Sequence, residues 1–329
     1  MEVILAVAPR DDVHAAAVSR ALSARGEELI RLDLSRFPRR GTIALGVERG
    51  PGQLVLRDGR RTIDVSRCRA IWWRRPAPFA LPAEVGPPAL RGFALAETSA
   101  AFSALWLSVR TRWVNDPVRT EIASRKPHQL AVAAAAGLAV PRTLVTSDPG
   151  RARAFLRACG ARHGAPAAVL KTLTPLPDRH AFTRRVTARD VAALGALRHA
   201  PVILQERVDG VDLRVTAVGG RLFAMEVDAR DTAFPDDVRQ DWPAAARTAR
   251  PARLPPAVAA GIRAVMDRLG LVYGAFDLRR RDDGEHLFLE VNPAGQWLFV
   301  EDATGLPITA AVAELLLGRR GGAARRGAR

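Results

Sequence analysis

Lysine is almost missing from this sequence: of 50 basic residues, 48 are arginine, and the two exceptions are Lys126 and Lys171. Cysteine is as scarce. Cys68 and Cys159 stand far apart with no metal or redox spacing, which excludes a thiolate zinc site or a dithiol motif and leaves two reduced structural thiols. No apolar run approaches the ~20 residues of a membrane-spanning helix, so no membrane partner is expected. The first apolar stretch, VILAVA (3–8), has no basic leader before it and no small-residue cleavage site after it. It reads as a buried strand, and a cytoplasmic location is the expectation. No GxGxxG follows that strand, which argues against a dinucleotide site there. Nor does any Ser-His or Cys-His constellation offer a protein nucleophile.

The 329 residues exceed one typical core, and 48% apolar content is that of a globular protein. The net charge of +16 is arginine set among abundant alanine, glycine and proline. This skew has the look of a coding bias that converts exposed lysines to arginine. A position that keeps lysine under such a bias is a candidate for a compact ammonium where a planar guanidinium would not serve.

Along the chain, the strand at 3–8 is followed by an Ala-rich helical segment (13–25) that stops at Gly26, and then by the strand-like ELIRLDL, an α/β opening. Short strands are expected at 43–47, 53–57 and 62–65, with Asp58-Gly59 as a hairpin turn. RAIWWRRPAPF is a strand ending in Arg74 and Arg75. Helical patterns cover 88–110 and 119–137, the second carrying Lys126, and AAVLKTL is a strand with Lys171 near its end. Strands at 202–208 and 211–228, a surface loop at 242–256, a helix at 256–269, a hairpin from 274, and a last helix at 307–317 precede RRGGAARRGAR, whose composition predicts a disordered tail. Trp72 and Trp73 read as packing residues.

The hairpin GAFDLRRRDDGEHLFLEVNP carries the chemistry. A two-residue Asp283-Gly284 turn pairs Asp277 with Glu290, and the two-residue repeat of a strand puts Asn292 on the same face. The opposite face then carries Phe276 and Leu278 against Leu289 and Val291. Two carboxylates opposed across a ladder repel unless a cation lies between them, and few, all-oxygen ligands suit Mg²⁺ better than zinc.

Beyond this hairpin, FLEVNPAGQWLFVEDATGLPITAAVAELL (288–316), WWRRP (72–76), SRKPHQLAVAAAAGLAVPRTLVT (124–146) and ILQERVDGVDLRVTAVGGRLFAMEVD (203–228) resemble, in order, segments of the ATP-grasp ligases. Within that superfamily the sequence looks most like the ribosomal-peptide maturases of the microviridin/graspetide type. The resemblance implies an α/β (α+β) fold: an N-terminal α/β pre-ATP-grasp domain (1–118), a central ATP-grasp subdomain (119–200), a C-terminal subdomain with the metal site (201–318), mostly antiparallel sheets in the latter two, and the tail (319–329). It implies ATP and Mg²⁺ as cofactors, with Lys126 and Lys171 on nucleotide phosphates, Gln205, Glu206 and Val208 at adenine, and Asp212 toward ribose or phosphate. Asp277, Glu290 and Asn292 are its metal ligands, and Arg214 and Lys171 its catalytic cations. Arg74 and Arg75 are candidates for holding an acidic precursor peptide, and a homodimer is a further implication. Two departures stand out. The loop after Lys171, TLTPLPDRHAFT, lacks the glycines of a phosphate-covering loop, although Thr183 offers a hydroxyl, and Ala294-Gly295 replaces the family's Asn-Gly.

The implied activity is phosphorylation of an Asp or Glu side chain of a ribosomal peptide, followed by closure of an ω-ester or ω-amide ring. A RimK-like ligase adding a free amino acid is the nearest rival. A basic nucleic-acid-binding protein is a rival of another class, against which stand dispersed arginines and the lack of RNP, helix-turn-helix or zinc spacing.

Overall fold

The computed structural model describes residues 3–47, 54–163, 168–174, 183–234 and 238–318. The expected tail (319–329), most of the loop after Lys171 (175–182) and the start of the 53–57 strand lie outside them.

Short apolar strands build the first layer. Strands β1 (Val3–Val7), β2 (Leu29–Leu32), β6 (Cys68–Trp73) and β7 (Arg112–Val114) form a parallel sheet in the order β2-β1-β6-β7. Between β2 and β6 an antiparallel sheet is inserted, made of β3 (Gly41–Leu45), β4 (Leu54–Asp58) and β5 (Arg61–Asp64). Helix α1 (Val13–Ser23) starts at Asp12, whose carboxylate accepts the Ala15 N–H at 2.7 Å. Helix α2 (Pro88–Ser108) buries Phe102, Leu105 and Trp106 against Leu5, Val7 and Ile71. Trp72 is buried and Trp73 packs against Trp106 and Trp113, as expected of packing residues.

The helix expected over 119–137 is two helices, α3 (Pro117–Ala123) and α4 (Lys126–Ala135). Pro127 is the physical reason. It has no N–H for the carbonyl of Ala123, and it disfavours helical backbone just before it. The orphaned Ala123 carbonyl accepts from the side chain of Gln129 instead. The break puts Lys126 at the head of a new helix.

The central sheet, order β10-β9-β11-β8, is antiparallel and holds β8 (Thr143–Thr146), β9 (Ala168–Lys171), β10 (Arg184–Arg185) and β11 (Val202–Glu206), flanked by α5 (Pro149–His163) and α6 (Ala188–Ala192). The expected boundary at 200/201 therefore falls just before a strand that lies inside this sheet, because β11 pairs with β8 and β9.

The last sheet is also antiparallel, in the order β14-β13-β12-β15-β16: β12 (Val211–Val218), β13 (Arg221–Val227), β14 (Arg250–Pro251), β15 (Tyr273–Arg280) and β16 (His286–Asn292). Helix α7 (Trp242–Ala245) and the short β14 occupy the stretch expected to be loop. Helix α8 (Pro256–Leu269) ends at Gly270 in the left-handed conformation and packs Ile262, Val265 and Leu269 on the sheet with Ala123 and Ala133 of α3 and α4. Helix α9 (Leu298–Thr304) leads to α10 (Ile308–Leu316), which packs beside α1 under the first sheet. One core thus runs from Ile4 and Trp72 through Tyr273 and Trp297 to Val312, so the C-terminal helix completes the N-terminal layer.

Asn115, just beyond β7, is the polar joint of that core. Its amide donates to the carbonyls of Tyr273 (2.8 Å) and Pro293 (2.9 Å) and accepts the N–H groups of Val272 (2.7 Å) and Tyr273 (3.0 Å). Every hydrogen-bonding site of the side chain is filled while the residue is buried. Asn115→Ala is expected to lower unfolding stability by roughly 3 kcal/mol by orphaning buried backbone groups; chemical denaturation checks this, and a change within ~0.5 kcal/mol would remove Asn115 as the joint.

Candidate active site

The register of three strands lines up the charged residues. Arg214 on β12 pairs with Asp277 on β15, and Asp277 pairs with Glu290 on β16, so the three form one row across the sheet. One repeat away, Asn292 pairs with Ala275. Asp277, Glu290 and Asn292 all line a single cavity of about 430 Å³, on one face as expected.

The expected pairing is right for a reason the sequence hid. The turn is not the two-residue Asp283-Gly284: Arg281 and Glu285 close a longer loop, Arg281 N–H to Glu285 carbonyl at 2.9 Å, with Gly284 at φ +89° supplying the left-handed position. That longer turn shifts the ladder by one residue, so that Leu278 faces Phe288. A bulge between Asp277 and Leu278 then shifts it back, restoring Asp277 opposite Glu290. The core partner of Phe276 is accordingly Phe288, at a ring separation of 6.0 Å, and Leu289 lines the cavity instead of the core.

Cations bracket the carboxylate row. Arg214 Nη1 donates to Asp277 Oδ1 at 2.8 Å and Nη2 to the Gln296 carbonyl at 2.9 Å, while Phe299 lies 5.7 Å from the guanidinium. Lys126 Nζ stands 3.1 Å from Glu290 Oε2. On the same helix Gln129 donates to the Val291 carbonyl at 2.8 Å and accepts its N–H at 3.1 Å, which fixes β16 between its two site residues. Gly295 is required here, because a Cβ would lie 2.3 Å from Ala275 Cβ and 2.9 Å from Arg214 Nη2.

Across the cavity, Lys171 at the end of β9 donates to Gln205 Oε1 at 2.8 Å, and Gln205 Nε2 donates to Thr143 at 2.9 Å. Burial pushes the Lys171 ammonium down to about 8, against the upward pull of Glu290 and with the repulsion of Lys126 adding to the depression. Glu206 pairs with Arg281 at 3.2 Å. Asp212 takes a bidentate grip from Arg279 (2.6 and 2.8 Å from one Nη), and Arg279 also donates to the Val208 carbonyl at 3.0 Å. Gln205, Glu206, Val208 and Asp212 line the cavity with Val169, Leu278 and Leu289, giving an apolar slot edged by polar groups. Thr183 also lines it.

The two arginines after β6 part company. Arg75 lines the cavity. Arg74 does not: it is 1% exposed and bonded to Asp12 (3.4 Å) and to the carbonyls of Ala294 and Gly295. Its side chain is a buried tie rather than a surface for a peptide, because Trp72 and Trp297 flank its guanidinium at 6.0 and 5.2 Å. Asn115, Gln129, Arg279 and Tyr273 carry no role in the sequence reading, which places Leu289 in the core and not in the cavity. The proline after Lys126 is the one local signal that points to any of them, through Gln129.

The donor set fits a hard cation. Two carboxylates and an amide oxygen share one face, and no histidine or cysteine is among the described residues that line the cavity. Among the described residues no group of three or more His, Cys, Asp and Glu gathers in a metal cluster of the zinc kind, and no helix is long and apolar enough to cross a membrane.

Residues 2–121 match the model of the MvdD pre-ATP grasp domain. No curated protein matches the chain by sequence. Among solved structures, the macrocyclase MdnC bound with precursor peptide MdnA from Microcystis aeruginosa MRC is 27% identical, with a TM-score of 0.84 over 97% of this chain and 100% of that one. The ATP-grasp ligase PsnB complexed with a phosphomimetic variant of its minimal precursor, Mg and ADP is 25% identical, with a TM-score of 0.75 over 98% and 99%. A RiPP-associated ATP-grasp ligase of Chryseobacterium gregarium, in complex with ADP and a leader and core peptide, is 22% identical and shares the fold at a TM-score of 0.88 over 98% of both chains. The carboxylate row, the facing lysines and this likeness along the chain's length support an ATP-grasp ligase of the ribosomal-peptide maturase (graspetide) type.

Proposed function

We propose that this chain uses ATP and Mg²⁺ to phosphorylate an Asp or Glu side chain of a ribosomal precursor peptide, and that a hydroxyl or amine of the same peptide closes an ω-ester or ω-amide ring. The observation that carries this reading is the row Arg214–Asp277–Glu290, with Lys126 at its far end and Lys171 across the cavity.

Asp277, Glu290 and Asn292 would hold magnesium, which when bound screens the terminal phosphates of ATP and the charge that develops during transfer. The slot of Val169, Gln205, Glu206, Val208, Leu278 and Leu289 takes the base, and Asp212 stands on the ribose and phosphate side. Lys126 and Lys171 meet phosphate oxygens as mobile point charges. Arg214, fixed by Asp277 and the Gln296 carbonyl, faces the transferring phosphoryl group. The peptide carboxylate oxygen attacks the terminal phosphorus and ADP leaves. The nucleophile then attacks the acyl carbon, the bond to phosphate oxygen breaks, and the nucleophile's proton leaves with the phosphate. No protein nucleophile is needed.

Arg75 is the substrate-facing cation in this reading. It lines the cavity and is exposed, and among the described residues no carboxylate lies within ion-pair distance of it. An acidic peptide supplies the missing partner.

The reading is tested by incubating the enzyme with Mg²⁺-ATP and the short peptide encoded beside its gene, then weighing the product. Loss of one water per ring is expected. A gain of an amino-acid residue would replace the proposal with the free-amino-acid ligase. Glu290→Ala should cut the rate at least about a hundredfold, and a variant that still removes water at the parent rate would end the metal assignment.

Lys171 gives a pH signature. Phosphate favours its charged form, so binding raises a proton affinity that burial holds at about 8 in the free protein. Below that value the ammonium is already formed and binding is pH-independent. Above it each binding event takes up a proton, and ADP affinity should fall about tenfold per pH unit. Calorimetry in buffers of different ionisation enthalpy reads the uptake directly, and Lys171→Arg should abolish it.

A further inference from the structure

The turn after Asn292 is tied in an unusual way. Four consecutive carbonyls, Pro293 to Gln296, each accept from a side chain of another segment. Pro293 takes Asn115 at 2.9 Å, Ala294 takes Arg74, Gly295 takes Arg74 at 3.0 Å and the Tyr273 hydroxyl at 2.8 Å, and Gln296 takes Arg214 at 2.9 Å. Two of these donors, Arg74 and Asn115, come from the ends of N-terminal strands rather than from the sheet that carries the carboxylates.

Arg74 is the centre of this arrangement. It is delivered by a fixed backbone, since its own N–H and that of Arg75 both donate to the Val7 carbonyl at the end of β1, at 3.2 and 3.1 Å. Its guanidinium is buried, anchored by Asp12 and stacked near Trp297, whose indole N–H bonds Thr309 at 3.0 Å. One nitrogen of this buried guanidinium, Nη1, meets both successive carbonyls, and it fixes the path of the chain between them because the planar group, with Asp12 beside its Nε and the indoles of Trp72 and Trp297 flanking it, cannot swing away. That path governs Asn292. The Asn292 side-chain oxygen accepts the Ala294 N–H at 2.9 Å, and the Gly295 N–H returns to the Asn292 carbonyl at 3.2 Å. The same turn presents the Gln296 carbonyl that, with Asp277, orients Arg214.

We propose that Arg74 is a positioning residue for the magnesium clamp: from the N-terminal domain it sets the turn that aims Asn292 and Arg214, so that this domain is a working part of the ATP site. The inference rests on the reading of Asn292 as a metal ligand. It makes the two adjacent arginines unlike in function, Arg75 facing the substrate and Arg74 holding the site from behind. A lysine at 74 keeps the charge but lacks the planar group that Asp12 and the two indoles hold in place, and Tyr273→Phe removes one donor to Gly295 without changing shape.

The test is Mn²⁺ binding to the enzyme–ADP complex, followed by electron paramagnetic resonance, beside ADP binding in EDTA. Arg74→Lys is expected to weaken Mn²⁺ about tenfold and Tyr273→Phe about threefold, with metal-free ADP affinity within twofold of the parent in both. Asn292→Ala serves as the reference. If it leaves Mn²⁺ affinity unchanged, the metal reading fails and this inference with it. If it weakens Mn²⁺ while neither Arg74→Lys nor Tyr273→Phe does, the metal reading stands and Arg74 is a packing residue only. Should Arg74→Lys prove unstable, Tyr273→Phe alone decides between those outcomes.

Discussion

Two carboxylates that face each other on neighbouring strands set the terms for the rest of this molecule. Asp277 and Glu290 would push their strands apart if left alone. The fold answers with Arg214 on one side and Lys126 on the other, so that the charges read plus, minus, minus, plus from β12 to the head of α4. β16 is the sheet's last strand, and its backbone is secured by contacts from outside the sheet: the Ala139 carbonyl accepts the Phe288 N–H at 2.8 Å, and Gln129 grips both backbone groups of Val291. A helix end and a loop therefore do what a further strand would do, and they leave the carboxylate face open toward the cavity. The place where the sheet is held from the side is also where its repulsion is greatest.

This arrangement was legible in the sequence to different depths. Glu290 opposite Asp277 could be read from an Asp-Gly turn, yet the turn is longer than the motif suggests and a bulge compensates. The assumed two-residue turn reaches the right pair because the longer turn and the bulge each shift the ladder by one residue, in opposite directions. Leu289 shows what that reasoning cannot see: a bulge moves one residue to the other face without altering the composition of the strand. Lys126 and Lys171 stood out because composition isolated them. Asn115 had no such mark, and for Gln129 the proline after Lys126 marks only the nearby Ala123 carbonyl. Each satisfies backbone groups more than 100 positions away in the chain, and nothing local announces a partner at that distance. Tandem Arg74-Arg75 marks the limit most clearly. Adjacent residues of one type at a strand end point opposite ways, and which one is buried depends on Asp12 and Trp297, far off in sequence.

The domain boundaries show the same limit from another side. The resemblance implies a C-terminal subdomain from 201, and hydrogen bonding places β11 inside the central sheet. The cavity lies along that junction, with Lys171 and Gln205 on one wall and Asp277 and Glu290 on the other. In the proposed reading, a base bound between the two sheets would be clasped by both.

The division of labour between arginine and lysine follows from their shapes. Where this chain needs two acceptors held at once, it uses arginine: Arg74 on two carbonyls, Arg279 on both oxygens of Asp212, Arg214 on a carboxylate and a carbonyl. Those guanidiniums form fixed walls, and most of their charge is already met by protein oxygens. Lysine stands where the protein offers a single acceptor, Glu290 for Lys126 and Gln205 for Lys171; in the proposed reading the ammonium would leave it for a phosphate oxygen. Burial lowers the proton affinity of Lys171, so in the free protein its charge is only marginally stable. An arginine there would stay charged at any accessible pH and could not give up that charge when no phosphate is near. The two lysines among 50 basic residues are thus the two that each hold a single acceptor beside the carboxylate row and the cavity.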